Sequence, residues 1–254
     1  MPSSSGLNDA FDTRLRFKGT PLKRTAMFAF ILSGLLLHAS GLESNPIVPA
    51  LEDSLYIAAD SAATLLAPEL HVAAAAMEAG DYSLAAAKLK ALARHDTANV
   101  GVLRMLASAY LRQVAYASAI PVCERIAALD STDSGVRVAL GFLHGKMGYL
   151  DRSLVAYRDA IGVNAETVQA YQGLGWIHLQ RRELQEAMNM IAKSTELAPE
   201  YAPNYVLMGR VLTAQGFYED ARQAFQTAFR LEPGLRGQYG ILLQELVLRH
   251  GLEP

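Results

Sequence analysis

The sequence predicts an all-α protein. The expected architecture is a solenoid of about five 34-residue helix–turn–helix repeats, closed by a C-terminal capping helix and preceded by an N-terminal apolar signal or anchor helix. Three observations carry this. From Leu66 onward the chain matches itself at a fixed period of 34, with no insertion or deletion over 170 residues. Small residues recur in two columns of that alignment, where paired helices must approach each other. Proline is absent from Val122 to Ala198, which leaves a long helical run unobstructed.

The N-terminal element comes first. Residues 1–25 form a basic segment with Arg14, Arg16, Lys18, Lys23 and Arg24 against Asp9 and Asp12, in a chain of net charge −2. Residues 26–42, AMFAFILSGLLLHASGL, carry no formal charge. Seventeen residues is the lower limit for a spanning helix, and a basic flank followed by an apolar core also describes a secretory signal. Ala39-Ser40-Gly41 offers a small-residue cleavage site, whereas the long basic region favours an uncleaved anchor. Either way the basic flank stays in the cytoplasm and the bulk of the chain crosses. A core helix of a cytosolic protein is the competing reading. Residues 43–65 form a linker: Pro46 and Pro49 keep its start extended, and LEDSLYIAADSAATLL can form a short amphipathic helix through Leu51, Leu55, Ile57, Ala58 and Leu65.

The repeats occupy 66–235, in frames 66–99, 100–133, 134–167, 168–201 and 202–235. The seventh position reads Val72, Leu106, Leu140, Leu174 and Met208, and the eighth Ala73, Ala107, Gly141, Gly175 and Gly209. The twentieth reads Ala85, Ala119, Ser153, Ala187 and Ala221. Gly80, Gly148 and Gly216 share position 15, and Pro199 and Pro233 share position 32. A unit of two helices cannot bury its apolar faces alone, and stacking units makes one continuous core. The eighth position then faces the twentieth at closest approach, so Gly175 is expected to lie against Ala187. Gly173, at position 6, has no role in this scheme. Residues 236–254 complete the array as a capping helix, with Tyr239, Ile241, Leu242, Leu243, Leu246, Val247 and Leu248 apolar and Gln244, Glu245 and Arg249 exposed.

With Tyr171, Leu174, Gly175, Ala187 and Pro199 in the fourth copy, and Tyr205, Gly209, Ala221, Phe225, Ala228 and Pro233 in the fifth, the pattern resembles the tetratricopeptide repeat family. The second copy matches through Leu106, Ala107, Tyr110 and Ala119, and the third through Leu140, Gly141, Tyr157 and Ala160. The first is degenerate. The resemblance implies a right-handed superhelix whose first helices line a concave groove, with positions 2, 5, 9, 12 and 13 pointing into it. Carried onto this chain, the partner-binding residues are Arg104, Ser108, Arg112, Phe142, Lys146, Gln172, Trp176, Gln180 and Arg210. Phe142 and Trp176 share position 9, and an aromatic strip with a basic rim suits a peptide with apolar anchors and acidic groups. Packing of Trp176 against the linker helix or a neighbouring helix is the alternative. The two-carboxylate clamp of some relatives needs Asn at position 9, which this chain lacks.

No phosphate-binding glycine loop, nucleophile elbow or HExxH sequence is present. His144 and His178 lie 34 apart at position 11 and read as packing groups in place of tyrosine. Cys123 is the only cysteine and reads as a small buried hydrophobe. No cofactor, metal, catalytic residue, nucleic acid or small-molecule substrate is therefore expected. The partners are a protein or peptide in the groove, and the membrane through residues 26–42 if these are uncleaved. The functional expectation is a non-enzymatic scaffold at the bacterial inner membrane or in the periplasm, assisting assembly of an envelope complex such as a pilus, secretion system or cytochrome-maturation machine. The alternative is a cytosolic chaperone for secretion substrates.

Overall fold

The chain divides into two units, Met1–Ser44 and Asn45–Pro254. A computed structural model describes residues 68–251, all within the second unit. The basic segment 1–25, the apolar run 26–42 and the linker 43–65 lie outside the described residues, so the expected signal or anchor helix is not among the elements seen.

Among the described residues there are eleven helices and no strand. They are α1 (Pro68–Glu78), α2 (Tyr82–His95), α3 (Val100–Arg112), α4 (Tyr116–Leu129), α5 (Ser134–Lys146), α6 (Leu150–Val163), α7 (Val168–Gln180), α8 (Leu184–Leu197), α9 (Ala202–Gln215), α10 (Tyr218–Leu231) and α11 (Leu235–His250). The second helices start at Tyr82, Tyr116, Leu150, Leu184 and Tyr218, so the period of 34 read from the sequence is kept to the residue. Local chemistry sets several starts. Asp81, Asn99 and Asp133 each accept a hydrogen bond from the backbone N–H three residues on, at 3.0–3.1 Å. These bonds satisfy donors that the first turn leaves without a helical partner. Proline opens α1, where its missing N–H costs nothing.

The turn inside each unit is left-handed at position 15. Gly80, Gly148 and Gly216 adopt φ of 76°, 78° and 88° there. Val114 (58°) and Arg182 (63°) adopt the same conformation without being glycine. Alignment finds the turn through its three glycines, and the other two copies follow because both flanking helices are fixed by packing. For a β-branched residue this backbone is strained.

The close approach inside each unit differs from the expectation. A Cβ added at the eighth-position glycines would first meet the side chain at position 24, not the residue at position 20. Gly141 would meet the Tyr157 ring at 2.7 Å, Gly175 would meet Ile191 at 2.9 Å, and Gly209 would meet Phe225 at 2.9 Å. Ala187 contributes only its backbone oxygen, 3.4 Å from the same point on Gly175. The eighth residue is small because a large side chain from the second helix lies flat across it. Gly173 now has a reason: a Cβ there would fall 2.3–2.6 Å from Tyr157 ring atoms. The Tyr157 ring is held between Gly141 of its own unit and Gly173 of the next.

These contacts build the core in three clusters. The largest runs from Leu70 to Ile177, a second joins α9, α10 and α11, and a small third holds Ala187, Ile191, Leu207 and Val211. The capping helix buries less than its composition implies. Only Leu235 and Leu246 of α11 are buried, while Ile241 and Leu248 are 66% and 74% exposed. No second helix follows to cover that side among the described residues.

Candidate recognition face

The first helices α3, α5, α7 and α9 carry the residues expected to line a groove, and the structure divides these residues into two sets. Ser108, Phe142 and Gln172 are 1%, 2% and 3% exposed, so they offer no surface to a partner. This corrects their assignment to the groove. The physical reason is clearest at Phe142. Its ring packs edge-to-face with Tyr116 of α4, with centroids 5.9 Å apart and planes at 89°, and the Lys146 ammonium lies 5.6 Å from its centroid. An aromatic ring sealed by an edge-on neighbour and a cation is core.

Trp176 occupies the same repeat position but meets different neighbours. It is partly buried and packs against both the largest and the smallest core cluster. Its Cζ3 lies 3.4 Å from where a Cβ on Gly145 would sit, so the glycine gives the indole a place to lie. The expectation that Trp176 leaves the core stripe is corrected in part: one side of the ring joins two repeats, and a fraction stays accessible. Leu179 beside it is likewise partly buried, and Gln180 is exposed.

The cations also differ among themselves. Arg104 forms an ion pair with Asp133, and both side chains are close to nine-tenths buried, at 12% and 11% exposure. Asp133 also caps α5 through the Val136 N–H, so Arg104 braces one unit against the next. Arg112 lies 5.9 Å from the Tyr82 ring centroid. Lys146 on α5 and Arg210 on α9 are partly exposed on either side of α7, the helix that carries Trp176.

The remaining polar groups are structural in their geometry. His178 Nδ1 contacts Glu183 Oε2 at 2.5 Å, tying the end of α7 to the cap residue of α8. His144 is buried, and its Nδ1 has no hydrogen-bond partner among the described residues. Burial, and secondarily the charge of Arg152, hold its pKa below the usual histidine value. Burial pushes the Cys123 thiol up to about 12, so it is protonated at any physiological pH. Among the described residues no cluster of three or more His, Cys, Asp or Glu could hold a metal, and no helix is long and apolar enough to cross a membrane.

Sequence reasoning missed one feature. A shallow cleft of about 680 Å³ lies at the turns of the third and fourth units, lined by Tyr149, Asp151, Arg152 and Arg181 among others. Asp151 pairs with Arg181 across the two units, and the Arg152 guanidinium lies 5.6 Å from the Tyr149 ring. The repeat alignment marks none of these four positions: Tyr149 and Arg181 cap helix ends, and Asp151 and Arg152 lie in the exposed first turn of α6, where the pattern leaves side chains free to vary.

A family model described as tetratricopeptide repeat matches residues 73–134 and 138–202. Among characterised proteins, human tetratricopeptide repeat protein 6 is 33% identical over 73 residues, 29% of this chain and 14% of that protein. The chain thus spans about one-seventh of that relative's length. Solved structures show the same fold. MamA aligns with TM-score 0.58 at 21% identity, covering 67% of this chain and 97% of its own. TTC0263, a thermophilic protein of Thermus thermophilus, aligns at 0.57 and 15% identity, covering 71% and 97%. YrrB, described as having an unusual peptide-binding site, aligns at 0.52 and 18% identity, covering 65% and 86%.

Proposed function

The chain belongs to the tetratricopeptide repeat family, and from that premise we propose that it is a non-enzymatic scaffold that binds a peptide or helix of a protein partner on its concave face. The observation that carries this is the strip on α7. Trp176 and Leu179 keep part of their apolar surface accessible, and the neighbouring first helices α5 and α9 carry the partly exposed cations Lys146 and Arg210. A half-buried aromatic is pre-organised for contact, since little side-chain freedom remains to be lost on binding. The cations select acidic groups around an apolar anchor. The peptide-binding site for which YrrB is described supports the reading by analogy of fold. The apolar run 26–42 behind a basic flank supports export, with the repeats in the periplasm, anchored to the inner membrane or released from it. There the scaffold assists assembly of an envelope complex.

The test is site-specific photocrosslinking in cells, with the crosslinking residue at Gln180 on the proposed face or at Val155 on a second helix, where the side chain is 56% exposed. A partner captured at Gln180 and not at Val155 is the expected result. Equal capture at both positions, or capture at Val155 alone, overturns the recognition face. A periplasm-active reporter fused after Leu65 is expected to be active, and an inactive one would remove the export part of the proposal.

A further inference from the structure

We propose that the outer face of α11 is a self-association surface, on which a second copy of this chain docks antiparallel through the same residues. The proposal is independent of the concave face and of what binds there.

α11 stands where the first helix of a sixth unit would stand, starting one residue ahead of the frame that would open at 236. It departs from the other first helices at positions through which a unit closes. Position 8 is alanine or glycine in all five units, and in α11 it is Leu243. Position 10 is Ala109, Leu143, Ile177 and Val211 in the second to fifth units, each completely buried, and in α11 it is the exposed Glu245. A second helix of the repeat type would meet a bulky side chain where its own large residue must lie, and would bury a carboxylate. The face is therefore not built for a sixth repeat to close over it.

Nor is it built only for water, since an array's terminal face is expected to be polar. Ile241, Glu245 and Leu248 follow one another at the helical spacing i, i+4, i+7, with Leu242 and Arg249 beside them. At about 100° per residue the five fall within an arc of about 120°. Ile241 and Leu248 are the two most exposed large apolar side chains among the described residues.

The charges identify the occupant. The Glu245 carboxylate and the Arg249 guanidinium lie 3.7 Å apart, and their side chains are 54% and 73% exposed. The stripe thus runs from acid to base along α11, and the same stripe turned end for end runs from base to acid. A two-fold axis near residue 247 sets each Glu245 opposite Arg249 of the second copy, twice over. It also brings Leu248 of both copies to within about 3 Å of the same level, so that an apolar contact forms at the axis. A contact of one surface with itself requires this kind of self-complementarity. The face is about 24 Å long and about 10 Å wide. That footprint is well under the roughly 800 Å² per partner of a stable interface, so the pair is weak and reversible.

Crosslinking of the full-length chain at this face tests the proposal. Leu248→Cys, or as a control Val155→Cys on the exposed side of α6, is treated with a short bismaleimide. Cys123 is buried and protonated, so it does not compete. Paired chains hold the two thiols at a local concentration of the order of millimolar. At about 20 µM chain, covalent dimer should therefore form about 10-fold faster through Leu248→Cys than through Val155→Cys. Adding Glu245→Arg or Arg249→Glu to Leu248→Cys should slow it about 10-fold, because two attractive pairs become two repulsive ones. Mixing the two charge variants should restore the rate, since opposite charges again face each other. The product should be the mixed pair, which intact mass spectrometry distinguishes from either homodimer. Misfolding cannot imitate this recovery, because two damaged chains gain nothing on mixing. The proposal is overturned if Leu248→Cys crosslinks no faster than Val155→Cys, or if either charge variant crosslinks as fast as its parent. A mixture no faster than its components overturns it as well.

Discussion

Replacing Gly173 with alanine tests the packing logic of the array most directly. Alanine in place of an interior helical glycine normally stabilises by about 1 kcal/mol. At Gly173 the added methyl would fall 2.3 Å from Tyr157 Cζ, where the ordinary carbon–carbon separation is about 3.5–4.0 Å. The ring must therefore recede by more than about 1 Å. Tyr157 is fully enclosed, and its other face already lies on Gly141, where a Cβ would sit 2.7 Å away. Overpacking of this kind costs about 1–3 kcal/mol, so after the propensity gain the net expectation is a loss of up to about 2 kcal/mol. Gly162 in α6 is the internal control: it is helical, with nothing within 4 Å of its Cβ position, and Gly162→Ala should stabilise by up to about 1 kcal/mol. Urea unfolding monitored by circular dichroism and by Trp176 fluorescence gives both numbers, and because arrays can unfold unit by unit the two probes are compared before a single free energy is assigned. Combining Gly173→Ala with Tyr157→Leu should abolish the cost, since position 24 of the first unit already carries a leucine, Leu89. If Gly173→Ala stabilises as Gly162→Ala does, or if its cost persists beside Tyr157→Leu, the ring-between-glycines account is wrong.

Two further outcomes follow from strain and burial. The left-handed backbone at Val114 costs an L-residue about 1–2 kcal/mol, and glycine gives back about 0.5–1 kcal/mol through unfolded-state entropy. Val114→Gly should thus raise the urea midpoint by the equivalent of about 0.5–1 kcal/mol with an unchanged m-value, and a lowered midpoint would refute the strain. The depressed pKa of His144 means that the unfolded chain binds its proton more readily than the folded one. Stability from this group is therefore present above the unfolded value of 6.5 and is lost as pH falls below it. Midpoints measured from about pH 7.5 to 5 should decline for the native chain and decline less for His144→Gln, whereas parallel slopes would show that His144 does not contribute.

The groove was the least legible part of the sequence. A repeat frame assigns each side chain a direction, but exposure depends on what the neighbouring unit brings. Phe142 and Trp176 share position 9, yet Phe142 meets Tyr116 where Trp176 has Leu150 at the equivalent place. At position 12 of the preceding units the corresponding pair is Leu111 and Gly145, a buried side chain against an open patch of backbone. Arg104 reads as a rim cation by position alone, and only its contact with Asp133 shows that its charge is already matched inside the array. The Asp133 cap and the Gly80, Gly148 and Gly216 turns were within reach of sequence reasoning, because each depends on residues within four positions of one another.

The sequence by itself determined the helix pairs, their period and the family, because helix, turn and repeat are local or periodic properties written in the order of residue types. The tertiary structure alone decided that Gly173 makes room for a tyrosine from the previous unit, that Phe142 is core, and that Trp176 joins two clusters while keeping an accessible edge. Those outcomes depend on volumes meeting across units, and volume complementarity between residues 16 or more positions apart has no signature in either chain segment taken alone.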